Sequence, residues 1–175
     1  MRRCTRRAGA VVTIAMTVMG LGLVRVVPAG AQDGWSAADA AALKGYTLTM
    51  DKLQRANKVM IDYDRLEADR PDLDDEGEGT QSISGMVKRI EAVPEARTIL
   101  GRHGLTARDY VMILFTSTQV AAAAYMEENG QAATGLPVSA AQVAFYKAHR
   151  AELDELSAQR KAASAEPDES EDVEE

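Results

Sequence analysis

The feature that most constrains this chain is a stretch without any charged residue between Asp109 and Glu127. Thr106 precedes it as a helix N-cap, and Asn129-Gly130 follows as a stop, so the pattern predicts one helix over about 106–129. A helix that is apolar on nearly every side either crosses a membrane or lies at the centre of a bundle. Polar residues occupy its middle: Thr116, Ser117, Thr118 and Gln119. The sequence therefore favours the centre of a bundle.

Similar signals predict further helices on both sides of this stretch. Ser36 starts a short helix that ends near Lys44, and Thr49 starts a longer one that reaches about Asp69, before Pro71. The remaining predicted starts are Ser82 or Ser84, Pro94, and Ser139 with Gln142 as a capping box. The helix from Ser139 presents Val143, Tyr146, Leu153 and Leu156.

Three of these starts share a hydrophobic staple, in which an apolar residue before the cap faces one at the fourth helical position. The pairs are Leu48 with Leu53, Leu105 with Tyr110, and Val138 with Val143. No alternating apolar and polar run is long enough to predict a strand. The predicted fold class is therefore all-α: a compact bundle of about four to five helices around a central apolar helix (about 106–129), after a signal peptide.

Residues 1–31 have the order of a secretory signal. Arginines precede an uncharged apolar stretch over 8–24, and Pro28 and Ala29-Gly30-Ala31 follow. An uncleaved membrane anchor is the alternative, but Arg25, Gly20 and Gly22 weigh against it. The sequence predicts cleavage after residue 31 and a periplasmic or secreted location.

The charge of the chain argues against a nucleic-acid partner. The full chain has 20 basic and 27 acidic residues, and removal of the five arginines in 1–31 changes the net charge from −7 to −12. Binding to phosphates requires a clustered positive field instead. Cys4 is the only cysteine, so the mature chain would have no disulfide, thiolate nucleophile or cysteine metal ligand.

Two acidic segments interrupt or follow the helical pattern. From about Ala163 the chain has seven acidic residues and no basic one, which predicts a disordered acidic tail over 163–175 after a bundle domain over 33–162. The second segment is a loop in which Asp72, Asp74, Glu76 and Gly77 match the first positions of an EF-hand. Gly79 and Ile83 stand where an EF-hand needs an apolar residue and a bidentate glutamate. A connector is the favoured interpretation, and cation binding by 72–78 the alternative.

No motif predicts a catalytic residue, a cofactor site or a metal ligand. His103 and His149 are the only histidines, and neither belongs to a Glu-x-x-His or haem-attachment pattern, so both are interpreted as core-edge or surface residues. A hydrolase with an unrecognised site stays open as a further alternative, built from Glu127, Glu128, His149 or Glu152. An apolar pocket is another, lined by Ala121 to Ala124 with Met112, Phe115 and Met126, although close helix packing is favoured there.

Three stretches together resemble a group of uncharacterised exported helical bacterial proteins. They are Ile90-Glu91-Ala92-Val93-Pro94-Glu95-Ala96-Arg97, Gly104-Leu105-Thr106-Ala107-Arg108-Asp109-Tyr110-Val111, and Val143-Ala144-Phe145-Tyr146 to Glu152-Leu153. The resemblance spans about residues 46 to 157 and implies no assigned activity. The leading hypothesis is a non-enzymatic periplasmic or secreted domain that binds a protein or a small apolar ligand. No nucleic-acid partner and no stable membrane insertion after signal removal are expected.

Overall fold

The computed structural model describes residues 35–69 and 82–164. Every regular element in these two ranges is an α-helix, which confirms the all-α prediction. The helices are α1 (Ala37–Gly45), α2 (Met50–Asp69), α3 (Ile83–Ala92), α4 (Pro94–Arg102), α5 (Ala107–Glu128), α6 (Ala140–Ala148) and α7 (Arg150–Ser164). The predicted signal peptide (1–31), the acidic loop (72–78) and residues 165–175 of the predicted tail lie outside the described residues.

The described ranges contain seven helices, more than the four to five that the sequence predicted. Pro94 separates α3 from α4, because Val93 before it adopts the extended conformation (φ −95°, ψ 110°) that proline imposes on its predecessor. The last predicted helix is divided at His149, whose ψ of 21° ends α6. Leu153 nevertheless donates its backbone N–H to the carbonyl of His149 at 3.0 Å, so α7 follows without a loop.

The helix starts follow the predicted capping residues. The hydroxyl groups of Ser36, Ser82, Thr106 and Ser139 accept hydrogen bonds from backbone N–H groups in the first turns of α1, α3, α5 and α6. Gly130 follows the end of α5 with φ +68°, and Gln131 N–H donates to the carbonyl of Met126 at 2.8 Å, which is a Schellman-type ending. These starts and stops are local properties that the sequence encodes directly.

Helix α5 lies at the centre, as predicted, and contacts α1, α2, α3, α4 and α6. Nine of its 22 residues are buried. Its outer side in the C-terminal half is not covered, however, since Thr118, Ala122 and Tyr125 are exposed. No helix in the described part of the chain combines enough length and apolar character to span a membrane.

Candidate functional site

A half-buried carboxylate on α2 joins two cationic side chains and a histidine. Nε2 of His103, at the end of α4, lies 2.9 Å from Oδ2 of Asp62, and Arg102 donates to the same oxygen at 3.0 Å. Nη1 of Arg65 lies 3.7 Å from the other oxygen. The side chains of Asp62 and His103 are 19% and 17% exposed. The carboxylate of Asp62 thus contacts three side chains, two of them arginines and the third a histidine.

The neighbours of Asp62 favour its ionised form. The hydrogen bond with His103 holds the pKa of Asp62 below its usual value, and Arg102 adds to this effect while partial burial opposes it. A carboxylate bound to a histidine ring fixes the orientation of that ring, as in catalytic triads. Catalysis would also need a reacting group at the other ring nitrogen. The contacts of Asp62 with Arg102 and His103 connect α2 to the end of α4.

The four residues considered for a hydrolytic site lie where the end of α5 meets the junction of α6 and α7. Glu127 accepts a hydrogen bond from Lys147 at 2.7 Å, and Glu128 accepts one from Arg150 at 3.0 Å. His149 lies 3.2 Å from Glu152 on its own helix turn and stacks on Phe145 at 4.6 Å between ring centroids. Glu127 and Glu128 each bind a separate cation. These two ion pairs therefore connect the end of α5 to α6 and α7.

Most of the residues considered for an apolar pocket take part in packing, whereas Ala122 is exposed. Met112 is buried, and Phe115 makes an edge-to-face contact with Trp35 at 4.7 Å between ring centroids. Ala123 and Ala124 are fully buried and pack with Val143 of α6. Small side chains at these positions allow α5 and α6 to approach closely.

The loop considered for cation binding lies between the end of α2 at Asp69 and the start of α3 at Ile83, outside the described residues. Within 35–69 and 82–164, no three His, Cys, Asp or Glu side chains are grouped so that they could hold a metal ion.

A second carboxylate on α2 fixes the last helix. Arg160 of α7 donates to both oxygens of Asp64 at 2.8 Å, and its remaining terminal nitrogen lies 3.3 Å from the sulfur of Met60. Ser164 donates to Asp64 at 3.2 Å. Burial raises the pKa of the neighbouring Tyr110, while the charge of Arg160 opposes that rise. The end of α7 is therefore held beside α2, five residues before α2 ends.

The net charge of the chain is unevenly distributed. The described residues contain 14 basic and 14 acidic side chains, so their formal charge is zero. Residues 70–81 contain Arg70 and five acids, and residues 165–175 contain seven acids. Ser164 lies beside Asp64, so the described residues that precede these two acidic segments, Asp69 and Ser164, both lie near the end of α2.

The sequence predicted that Gln142 caps the start of a helix. The structure shows that Gln142 also binds the end of α1. Its side-chain oxygen accepts hydrogen bonds from the backbone N–H and the hydroxyl of Ser139 at 2.7 and 3.1 Å. Its amide nitrogen donates to the carbonyls of Leu43 and Tyr46 at 2.8 and 2.7 Å. Gln142 thus connects the end of α1 to the start of α6.

Asp62, Asp64 and Gln142 each have partners that lie 40 to 100 residues away in the chain. No local pattern indicates such pairs, which explains why the sequence did not predict them. No family model, curated protein or solved structure matches the chain. The resemblance to exported helical bacterial proteins therefore stays a prediction.

Proposed function

We propose that this protein is exported, loses residues 1–31, and acts through non-covalent binding of another protein by its helical domain. The observation that best supports binding is the exposure of Tyr125 on α5. Its side chain is 51% exposed, whereas the other large hydrophobic residues of the described ranges are at least half-buried. Aromatic residues are enriched in protein interfaces because they combine a large apolar area with few rotatable bonds.

The surroundings of Tyr125 also have the composition of an interface. Leu114, Thr118, Ala121 and Ala122 lie on the same side of α5, and none of them is charged. The ion pair of Glu128 with Arg150 lies at the end of this side. Interface centres are depleted of charge and their rims are polar. A protein partner fits better than a small apolar ligand, because a helix face is convex whereas ligand sites are concave.

The experiment for this function places a photoreactive phenylalanine analogue at Tyr125 in the cells that produce the protein. A partner bound at α5 gives a defined covalent adduct, which disappears when Ala122→Glu introduces a charge beside the contact. Thr98, which is exposed on α4, is the matched control position. Absence of an adduct from position 125, or the same adducts from both positions, would contradict binding through α5.

Export rests on the N-terminal segment and has a separate test. The protein recovered from the periplasm or medium is expected to begin at Gln32, as determined by mass spectrometry of the intact chain. A chain that stays in the cytoplasm, or that keeps its N-terminal residues in the membrane, would refute this part of the proposal.

Cation binding by 72–78 is the second candidate. The observation that favours it is the placement of Ser164, the residue before a second acidic segment, beside Asp64, five residues before the end of α2. Calorimetry with calcium on the mature chain tests it, and Asp74→Asn with Glu76→Gln should reduce the heat. No heat at about millimolar calcium, the weak end of the range for extracellular sites, would reject this candidate.

A further inference from the structure

We infer that the acidic segment 165–175 docks on the cationic face of its own chain, a surface formed by Arg55, Lys58, Arg65 and Arg102. The guanidinium-bearing side chains of Arg55, Arg65 and Arg102 are 46%, 65% and 62% exposed. Lys58 is also exposed and has no ion-pair partner among the residues that the structure describes. The carboxylates on the same side of α2 are Asp51, Asp62 and Asp69, so four cations face three anions.

These four cations form one surface across two helices. Lys58 and Arg65 are seven residues apart on α2 and therefore lie on the same side of it. Arg102 joins them from α4 because it shares Asp62 with Arg65. Arg55 reaches the turn after α4, since a Cβ placed on Gly104 would lie 3.2 Å from its Nη1 atom. This face therefore carries one more cation than anion, on a body whose formal charge is zero.

The acidic segment starts at the right place to reach this face. Ser164, the last residue of α7, donates to Asp64, which directly precedes Arg65 on α2. Eleven extended residues span about 36 Å. The distance along α2 from Arg65 to Arg55 is about 15 Å at 1.5 Å per residue. The segment carries seven acids and no base, so both its length and its charge fit the cationic face.

The contact is electrostatic and exposed, which makes it sensitive to salt. At about 1 M salt the Debye length falls to about 3 Å, and exposed charge pairs lose most of their attraction. Two other occupants would satisfy the same charges: the acidic loop 70–81, and residues 165–175 of a second copy. The segment 165–175 of the same chain is favoured because Ser164, the residue before it, donates to Asp64, the neighbour of Arg65 in the sequence.

Paramagnetic relaxation on the full chain tests the inference. Cys4→Ser with Ser170→Cys leaves one cysteine for a nitroxide label. At low salt we expect loss of amide signal near Lys58, Arg65 and Arg102, recovery of that signal at about 1 M salt, and little change in α6. Lys58→Glu with Arg65→Glu should abolish the loss. The matched control Lys88→Glu with Arg97→Glu changes the net charge equally on exposed positions and should preserve it.

Four outcomes would overturn the inference. The first is no signal loss at the cationic face, and the second is a loss that persists when Lys58 and Arg65 are reversed. The third is signal loss in an unlabelled isotopic chain mixed with labelled chain, which would assign the contact to a second copy. The fourth is the same loss from a label at Gly77→Cys but not from Ser170→Cys, which would assign it to the loop.

Discussion

At the scale of single residues, Gln142 joins two parts of the chain that lie 99 residues apart. All four hydrogen-bonding positions of its amide are used, two towards Ser139 and two towards the carbonyls of Leu43 and Tyr46. The residue is buried, so water cannot replace these partners. A buried polar group without a partner lowers the stability of the fold by more than an average hydrogen bond adds to it.

We therefore expect Gln142→Leu to lower the free energy of unfolding by about 2 kcal/mol, because it leaves the Tyr46 carbonyl and the Ser139 N–H unpaired. Urea unfolding followed by circular dichroism measures the change. Gln54→Leu, on the exposed side of α2, is the control and should stay within about 0.5 kcal/mol of the parent. Equal effects of the two substitutions would disprove the bridging role of Gln142.

Thr116 differs from Gln142 in that its side chain leaves a hydrogen-bonding group unused. Its hydroxyl is buried without a hydrogen-bond partner, whereas Ser117 and Thr118 donate to carbonyls of the preceding turn. Burial of an unpaired hydroxyl is unfavourable, so Thr116→Val should raise the free energy of unfolding by about 1 kcal/mol. Thr118→Val, at an exposed position, is the control and should have little effect. A loss of stability in Thr116→Val would mean that the hydroxyl has a partner in solution, such as an internal water.

At the scale of helices, α7 differs from the others because none of its residues is buried. Leu153 and Leu156 pack against the core only in part, and the pair of Arg160 with Asp64 supplies the directional contact. A guanidinium that binds both oxygens of a carboxylate fixes position as well as charge. The pair of Arg160 with Asp64 therefore adds a fixed, directional contact to the partial packing of α7 on α2.

Arg160→Met should increase local opening of α7 about tenfold, which corresponds to about 1.4 kcal/mol. Hydrogen exchange of the α7 amides measures this change, and the amides of α5 should keep their protection. Lys161→Met, one residue further along and exposed, is the matched control. Faster exchange throughout the molecule would indicate general destabilisation instead of local release of α7.

The helices also show which of their boundaries the local sequence could predict. Caps such as Thr106 and the Ser139 capping box were predictable because the bonded groups lie within three residues of each other. The separation of α6 from α7 was not, since His149 carries no proline or glycine signal and its ring contact with Phe145 exists only in the folded helix. The sequence predicted that neighbouring helices cover α5. It did not indicate the exposed outer side, because a helix without charged residues does not reveal which of its sides lacks a neighbour.

At the scale of the whole molecule, stability should depend on pH through Asp62. Its folded pKa lies below its usual value, so the ionised form stabilises the fold. That contribution is complete above the unfolded pKa of about 3.9 and is lost as the pH falls through the folded pKa. Asp62→Asn should therefore be less stable by about 1 kcal/mol at pH 7 and show a smaller loss of stability below about pH 4.

Thermal or urea unfolding at a series of pH values measures this difference. Asp154→Asn, at an exposed position of α7, is the control and should reproduce the acid response of the parent chain. If Asp62→Asn retains the full acid dependence, the contact with His103 does not stabilise the folded state.

The sequence predicted the class of the fold and the central helix but few features of the candidate site. Periodicity and caps report which residues are helical and which side of a helix is apolar. Asp62, Arg102 and His103 come together only when α2 packs against α4, and no property of positions 62 and 102 alone indicates this. Glu127, Glu128 and His149 were named from the sequence, whereas their pairing with Lys147 and Arg150 and the ring contact of His149 follow from the meeting of three helices.

The bridge made by Gln142 also sets an order of events during synthesis. The end of α1 is made 99 residues before the amide that binds it. A chain that emerges N-terminus first cannot close this bridge until most of its length has left the ribosome. Helix α1, the first of the described helices, therefore stays without this bridge for most of the synthesis of the chain.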